Sequence, residues 1–172
     1  MPGDAPPPVI TVASGGGRER SGKDELVFLS GSDGASAVTV TLNAAVTWRL
    51  DFAGGTERTA ADLRGGRVAA ITVAAGSDIV DLALPRPRGT VPVLLSGGAS
   101  QFLLSLPGGV PVRVISAGGA GEVSLDGATH SEVGGGSVFA TPGWTAGTPA
   151  APRFDVDATA GAARVSVTRW GG

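Results

Sequence analysis

The sequence predicts an all-β fold: a single-domain β-solenoid of about 20–22-residue repeats, with a β-sandwich as the alternative. Three observations predict it. Short β-branched runs separated by Gly pairs recur at near-constant spacing, side chains within each run alternate with period two, and no amphipathic helix of three turns can be drawn. A unit of two short strands cannot bury its apolar face alone, but stacked on copies of itself it can. In a solenoid the strands of successive coils pair in parallel ~4.8 Å apart, so six or seven coils form a rod on the order of 30 Å long. Turn signals every ~8–12 residues also fit a sandwich of roughly twelve strands. The recurrence of similar residues at unit spacing favours the solenoid.

Residues 1–25 read as a disordered or loosely attached Pro/Gly-rich lead, with Pro6–Pro8 extended and Gly15–Gly17 flexible. A short strand at Val9–Val12 is expected inside it. The β-repeat domain then covers 26–172, in units Leu26–Asn43, Val46–Leu63, Val68–Pro85, Val91–Pro107, Val110–Gly127 and Phe154–Trp170. Within Phe154–Ala158, Phe154, Val156 and Ala158 share one face while Asp155 and Asp157 share the other. In Ala163–Thr168, Val165 and Val167 face in, and Arg164, Ser166 and Thr168 face out. Gly at each mid-unit turn permits positive φ and close approach of neighbouring backbones. Leu84-Pro85 and Leu106-Pro107 end their units, since Pro stops a strand at its edge. Residues 128–153 interrupt the pattern as an insertion or one degenerate unit. Trp48, Phe52, Phe102 and Phe154 fall at strand positions and are expected in the interior, and Trp170 is expected to cap the last coil.

Composition excludes several functions. With 13 basic and 15 acidic residues and a net charge of −2, the chain lacks the basic footprint of a nucleic-acid binder. Cys is absent, which removes disulfides, thiol nucleophiles and thiolate metal sites. A single His leaves at most one imidazole base. The first residues have neither a basic n-region nor an apolar h-region, and no 18-residue apolar run occurs. The expectation is therefore no membrane span in this chain: either it is cytoplasmic as written, or it is the soluble part of an extracytoplasmic protein.

The pattern of an apolar strand, then Gly-Ala-Ser or Ala-Gly-Ser, then an apolar strand ending in Leu-Pro appears at Ala75–Asp78 before Ile79–Pro85. It appears again at Gly97–Ser100 before Gln101–Pro107, with looser copies at Asp33–Ser36 and Thr159–Ala162. This pattern, from Val46 to Gly127 and from Phe154 to Val167, resembles bacterial extracytoplasmic β-repeat domains: the toast-rack and head-GIN adhesin-like families and the C-terminal domain of LiaF-type cell-wall stress proteins. The resemblance implies a right-handed, β-helix-like module outside a membrane, with roles in envelope-stress sensing, regulation or adhesion and no catalysis. The interruption at 128–153 departs from it.

Candidate chemistry is thin. His130, in Gly127–Glu132, has Ser131 and Glu132 beside it, but adjacent residues cannot form a triad without long-range partners, so it reads as a surface loop residue. The Gly-rich runs match no phosphate-binding or nucleophile-elbow motif and read as turns. Gly118–Asp126 has Val123 where a calcium nonapeptide needs Asp. Asp155 and Asp157 are expected to pair with Arg164 or be solvated. Glu122 and Asp126, like Asp78 and Asp81, face different ways, which argues against the paired acids of a glycosidase. No catalytic residue, cofactor or metal is expected. Long loops carry binding more often than scaffolds do, so Trp144, Phe139 and His130 are the candidate partner-binding residues. Trp144 reads either as an exposed anchor or, more favourably, as a cover over an apolar end of the stack.

The expected function is a non-enzymatic bacterial cell-envelope module acting by surface contact on a protein or cell-wall glycan partner. The alternatives are a self-assembling, bactofilin-like structural protein joined end to end and, third, a polysaccharide-acting solenoid enzyme. The oligomeric expectation is a monomer or end-to-end self-association.

Overall fold

A computed structural model describes residues 9–14, 28–30, 42–74, 76–147 and 151–171. The strand expected in the lead is β1 (Val9–Ser14), and β2 (Phe28–Ser30) begins the first unit. The remainder of the 1–25 lead, Gly15–Gly17 included, and most of the Leu26–Asn43 unit, with Asp33–Ser36, lie outside the described residues. The next units form β3 (Thr47–Phe52) with β4 (Thr56–Asp62), β5 (Arg67–Val73) with β6 (Ser77–Ala83), and β7 (Thr90–Leu95) with β8 (Ala99–Pro107). After β9 (Val112–Ser116) and β10 (Ala120–Leu125) come β11 (Ala128–Val133) and β12 (Ser137–Ala140). The chain ends in β13 (Arg153–Ala158) and β14 (Ala162–Trp170).

The two strands of a unit do not pair with each other; each joins a different sheet. One sheet has eight strands in the order β12-β9-β13-β7-β5-β3-β1-β2, and the other has six in the order β11-β10-β14-β8-β6-β4. The sheets are mixed: strands of the repeat units pair in parallel, while β11 and β12 pair antiparallel at one end. The described strands form no closed barrel. The parallel register is set by alternation, because a one-residue slip would turn every apolar side chain outward. Leu50, Ile71, Val93, Val156 and Val114 line up across the larger sheet, and Val80, Phe102, Val165 and Val123 across the smaller one. These side chains are nearly or wholly buried and belong to one continuous core between the sheets. Burial of each stabilises the fold by about 1.5–3 kcal/mol. Phe102 and Phe154 are the largest fully buried side chains, while Trp48 and Phe52 are half-buried and pack against the core.

Spatial order departs from chain order. The last unit lies between its two predecessors: β13 separates β7 from β9, and β14 separates β8 from β10. Likewise β1 lies between β2 and β3. Trp170 therefore does not cap a terminal coil. It stands mid-stack opposite Pro107, and its indole N–H donates to the Leu84 carbonyl at 3.1 Å. The degenerate stretch after Gly127 supplies the end instead. Gly134–Gly136 connect β11 to β12, which run against β10 and β9 as the outermost strands of the two sheets.

The mid-unit turns carry a column of glycines, Gly55, Gly76, Gly98, Gly161 and Gly118, each facing a backbone oxygen of the next turn. Of the two reasons expected from sequence, positive φ holds at Gly119 (81°) but not at the five glycines of the column, among which close approach is the reason at Gly118. Close approach is the stricter requirement. A Cβ on Gly118 would lie 2.6 Å from backbone atoms of Ala160 and Gly161, and one on Gly121 would lie 2.7 Å from the Ala163 carbonyl oxygen.

Candidate functional site

The segment after β12 positions Trp144. Thr141 continues from β12, donating its N–H to the Val112 carbonyl while its hydroxyl accepts the Val112 N–H at 2.9 Å. Pro142 and Gly143 then make a tight turn closed by the Trp144 N–H on the Thr141 carbonyl, with Gly143 at φ 86° as the third position of such a turn requires. The turn directs Trp144 onto the outer face of the larger sheet, where the odd-numbered residues of β13 point.

There the indole meets two cations. The Arg113 guanidinium carbon lies 4.1 Å from the ring centroid and that of Arg153 lies 4.9 Å away. Arg113 is itself held by both oxygens of Asp155, at 2.8 and 2.5 Å, directly across the β9–β13 pairing. Hydrogen bonding to that carboxylate pushes the Arg113 guanidinium further up from its already high pKa. Arg153 is buried, donating to the Thr90 hydroxyl at 2.9 Å and to the Thr145 carbonyl. Cation–aromatic contacts of this kind contribute about 0.5–2 kcal/mol, so Trp144 fastens its loop to the sheet. The ring is half-buried, and its N–H, shielded from solvent, has no partner among the described residues.

His130 and Phe139 come together elsewhere. His130 is on β11 opposite Val123, and Phe139 is on β12 opposite Val114, so both point toward the core where the sheets end. Their rings lie 4.7 Å apart at 32°. His130 thus sits on a strand rather than in the expected loop, exposed and stacked on a half-buried Phe139. This pair covers the apolar end of the stack, the task expected of Trp144. Trp144 covers the outer sheet face instead, because the turn at Pro142-Gly143 reverses it across the sheet edge. Val138, pointing the other way on β12, is the exposed large hydrophobic residue of this end.

Four carboxylates meet arginines of neighbouring units. Asp155 pairs with Arg113, not with the expected Arg164, which binds Glu122 at 2.9 Å on the other sheet. Asp81 meets Arg58 at 3.2 Å, and Asp126 meets Arg169 at 2.7 Å. These pairs clasp adjacent units. Sequence inspection missed Arg113 and Arg153 as partners of Trp144; the parity of Arg113 and Asp155 on outward positions was the available signal, but their adjacency depends on the displaced last unit. A second surface feature is an open groove along the glycine column, bordered by Thr56, Glu57, Ser77, Asp78 and Ser100. Glu57 and Asp78 are exposed, and no aromatic side chain lines this groove. Among the described residues no three His, Asp or Glu side chains converge as a metal site would need.

No family model matches the chain, and no curated protein matches it. The fold is similar to a crystal structure from Clostridium sporogenes ATCC 15579 named "putative cell adhesion protein". The TM-score is 0.54 at 16% identity, over 93% of this chain and 88% of that one. The likeness is one of fold. No helix among the described residues is long and apolar enough to cross a membrane.

Proposed function

We propose that this chain is a solenoid-type β-repeat module of a bacterial cell envelope that works by surface contact, in adhesion or sensing, without catalysing a reaction. The observation that carries the reading is the fold likeness over nearly the whole length to a structure named for cell adhesion. The unit-on-unit parallel pairing fits a solenoid, and the resemblance of the Gly-Ala-Ser and Leu-Pro pattern to toast-rack and head-GIN domains points the same way. A stack with its inter-unit carboxylates clasped by arginines presents rigid faces suited to contact with a protein or a cell-wall glycan. On that surface Trp144, held by Arg113 and Arg153, is the anchor of this reading; His130 and Phe139 border the second contact area at the stack end.

End-to-end polymerisation is the weaker reading, because β11 and β12 run against the stack and five of the six β11 residues are exposed, four of them polar. A polysaccharide-acting enzyme finds less support, since the groove holding Glu57 and Asp78 has no aromatic platform for a sugar ring. The test is retention of the purified chain on bacterial cell-wall sacculi, with and without their attached glycan polymers. Saturable retention, weakened about tenfold by Trp144→Ala as for a buried aromatic anchor, is expected. Retention no greater than that of an unrelated β-protein of similar charge overturns the reading.

A further inference from the structure

The unit junctions form the edge of the stack opposite the glycine column, and one of them gathers positive charge. A groove of about 460 Å³ is lined by Arg64, Arg67, Arg86 and Arg88, with Gly65 and Gly66 between the first two and Pro85 and Pro87 flanking Arg86. All four arginines are exposed, whereas both prolines are buried. The Pro85–Arg88 segment is thus anchored by alternate residues and presents its guanidinium groups outward from a backbone whose φ is restricted at both prolines. Arg64 and Arg86, and Arg67 and Arg88, are separated in sequence by close to one repeat, so the groove draws two arginines from each of two successive junctions.

Elsewhere among the described residues Arg58, Arg113, Arg164 and Arg169 each hold a carboxylate, while Arg153 is buried against a hydroxyl and a carbonyl and Arg49 stands in no ion pair. In this groove only Arg64 holds a carboxylate, that of Asp62 at 2.6 Å. That pairing lowers the Asp62 carboxyl to about 2, so it stays ionised and balances Arg64 at neutral pH. Arg67 and Arg86 donate to the carbonyls of Ala45 and Gly108, and among the described residues no carboxylate lies against Arg67, Arg86 or Arg88. A chain of net charge −2 therefore gathers in one concave place three guanidinium groups that have no acidic partner among the described residues. Guanidinium forks match phosphate oxygens in two-point geometry, which a lone ammonium does not reproduce.

We propose that this junction groove binds a phosphate-bearing ligand, with Arg67, Arg86 and Arg88 as the phosphate-contacting residues. The inference stands on the groove alone and does not depend on the envelope reading.

Calorimetric titration of the intact chain at low salt tests it, with tripolyphosphate, inorganic phosphate and citrate as probes. One-site saturable binding of tripolyphosphate is expected, with citrate, of lower charge at neutral pH, weaker. Inorganic phosphate binding as tightly as tripolyphosphate identifies a single phosphate as the recognised unit; weaker binding identifies a chain of them. Joint Arg86→Ala and Arg88→Ala substitution should weaken binding by about tenfold or more, and Arg88→Lys by several-fold despite its retained charge. Arg58→Ala, which removes a positive charge from the sheet face, should change it less than about twofold. Absence of saturable binding, equal binding of citrate, or an equal loss in Arg58→Ala overturns the proposal. Arg86 and Arg88 are exposed, so melting curves should show these variants folded; Arg88→Lys reads the site independently of the double variant.

Discussion

At Gly118 one hydrogen atom stands where any side chain would meet main chain at 2.6 Å. The Ala160–Gly161 turn it faces has no flexible side chain to move aside, so added volume must displace backbone in two units at once. Gly118→Ala should lower stability by about 1–3 kcal/mol or more. Gly134 is the control, since a Cβ there meets nothing within 4 Å and its φ is not positive. Gly134→Ala should be neutral or stabilising by about 0.4–1 kcal/mol, through the unfolded chain. Urea unfolding midpoints of the two variants check the contrast. Both residues lie in Gly-rich runs that look alike in sequence, and only the approach of the neighbouring turn separates them. Ser116 makes the same point from the other side. It occupies an inward position in the column that holds Val73, Leu95 and Ala158, fully buried with its hydroxyl unpartnered, and nothing in the structure explains the choice of Ser there.

At the scale of elements, the placement of β13 and β14 decides how the fold coheres. A repeat array trimmed at its end loses one unit and keeps the rest, because each unit contacts only its neighbours. Here the last unit in the chain is an inner unit of the stack, paired on both sides in both sheets. Its removal withdraws Phe154, Val156, Val165 and Val167 from the core and leaves β7, β8, β9 and β10 each with one bare edge. A chain ending at Pro152 should therefore fail to fold cooperatively. Loss of β-sheet circular dichroism and collapse of amide shift dispersion are the expected readouts; a folded, merely shorter protein would contradict the stacking order. The reversed pair β11–β12 was legible only as an interruption of the repeat. β11 in particular, exposed at five of its six residues, carries little of the apolar alternation that marks the other strands.

At the scale of the molecule, the stack has two faces, two edges and an end closed by β11 and β12. The faces carry ion pairs between units, the glycine edge carries close backbone contacts, and the junction edge carries the arginine groove. The reversed strands, with Glu132 at φ 55° and Gly136 at φ 83°, give the stack an end that does not continue its parallel pattern. Open parallel edges recruit further strands; reversed, twisted and polar ones discourage them. Light scattering should accordingly report a mass near 16.8 kDa that does not change over about a hundredfold in concentration. A mass that climbs with concentration would show that the ends recruit copies and would promote the polymer reading.

The sequence by itself determined the β class, the inward and outward faces of Phe154–Ala158 and Ala163–Thr168 and the burial of Phe102 and Phe154. These follow from alternation and turn chemistry, which act over a few residues. Only the tertiary structure decided which unit lies beside which, and therefore that Asp155 finds Arg113, that Trp170 stands mid-stack and that His130 rests on Phe139. The reason is physical: similar units present nearly interchangeable apolar edges, so local pattern cannot rank their pairings. The order is set by the sum of contacts across the whole stack, including the approaches at Gly118 and Gly121 that are close enough to demand a glycine.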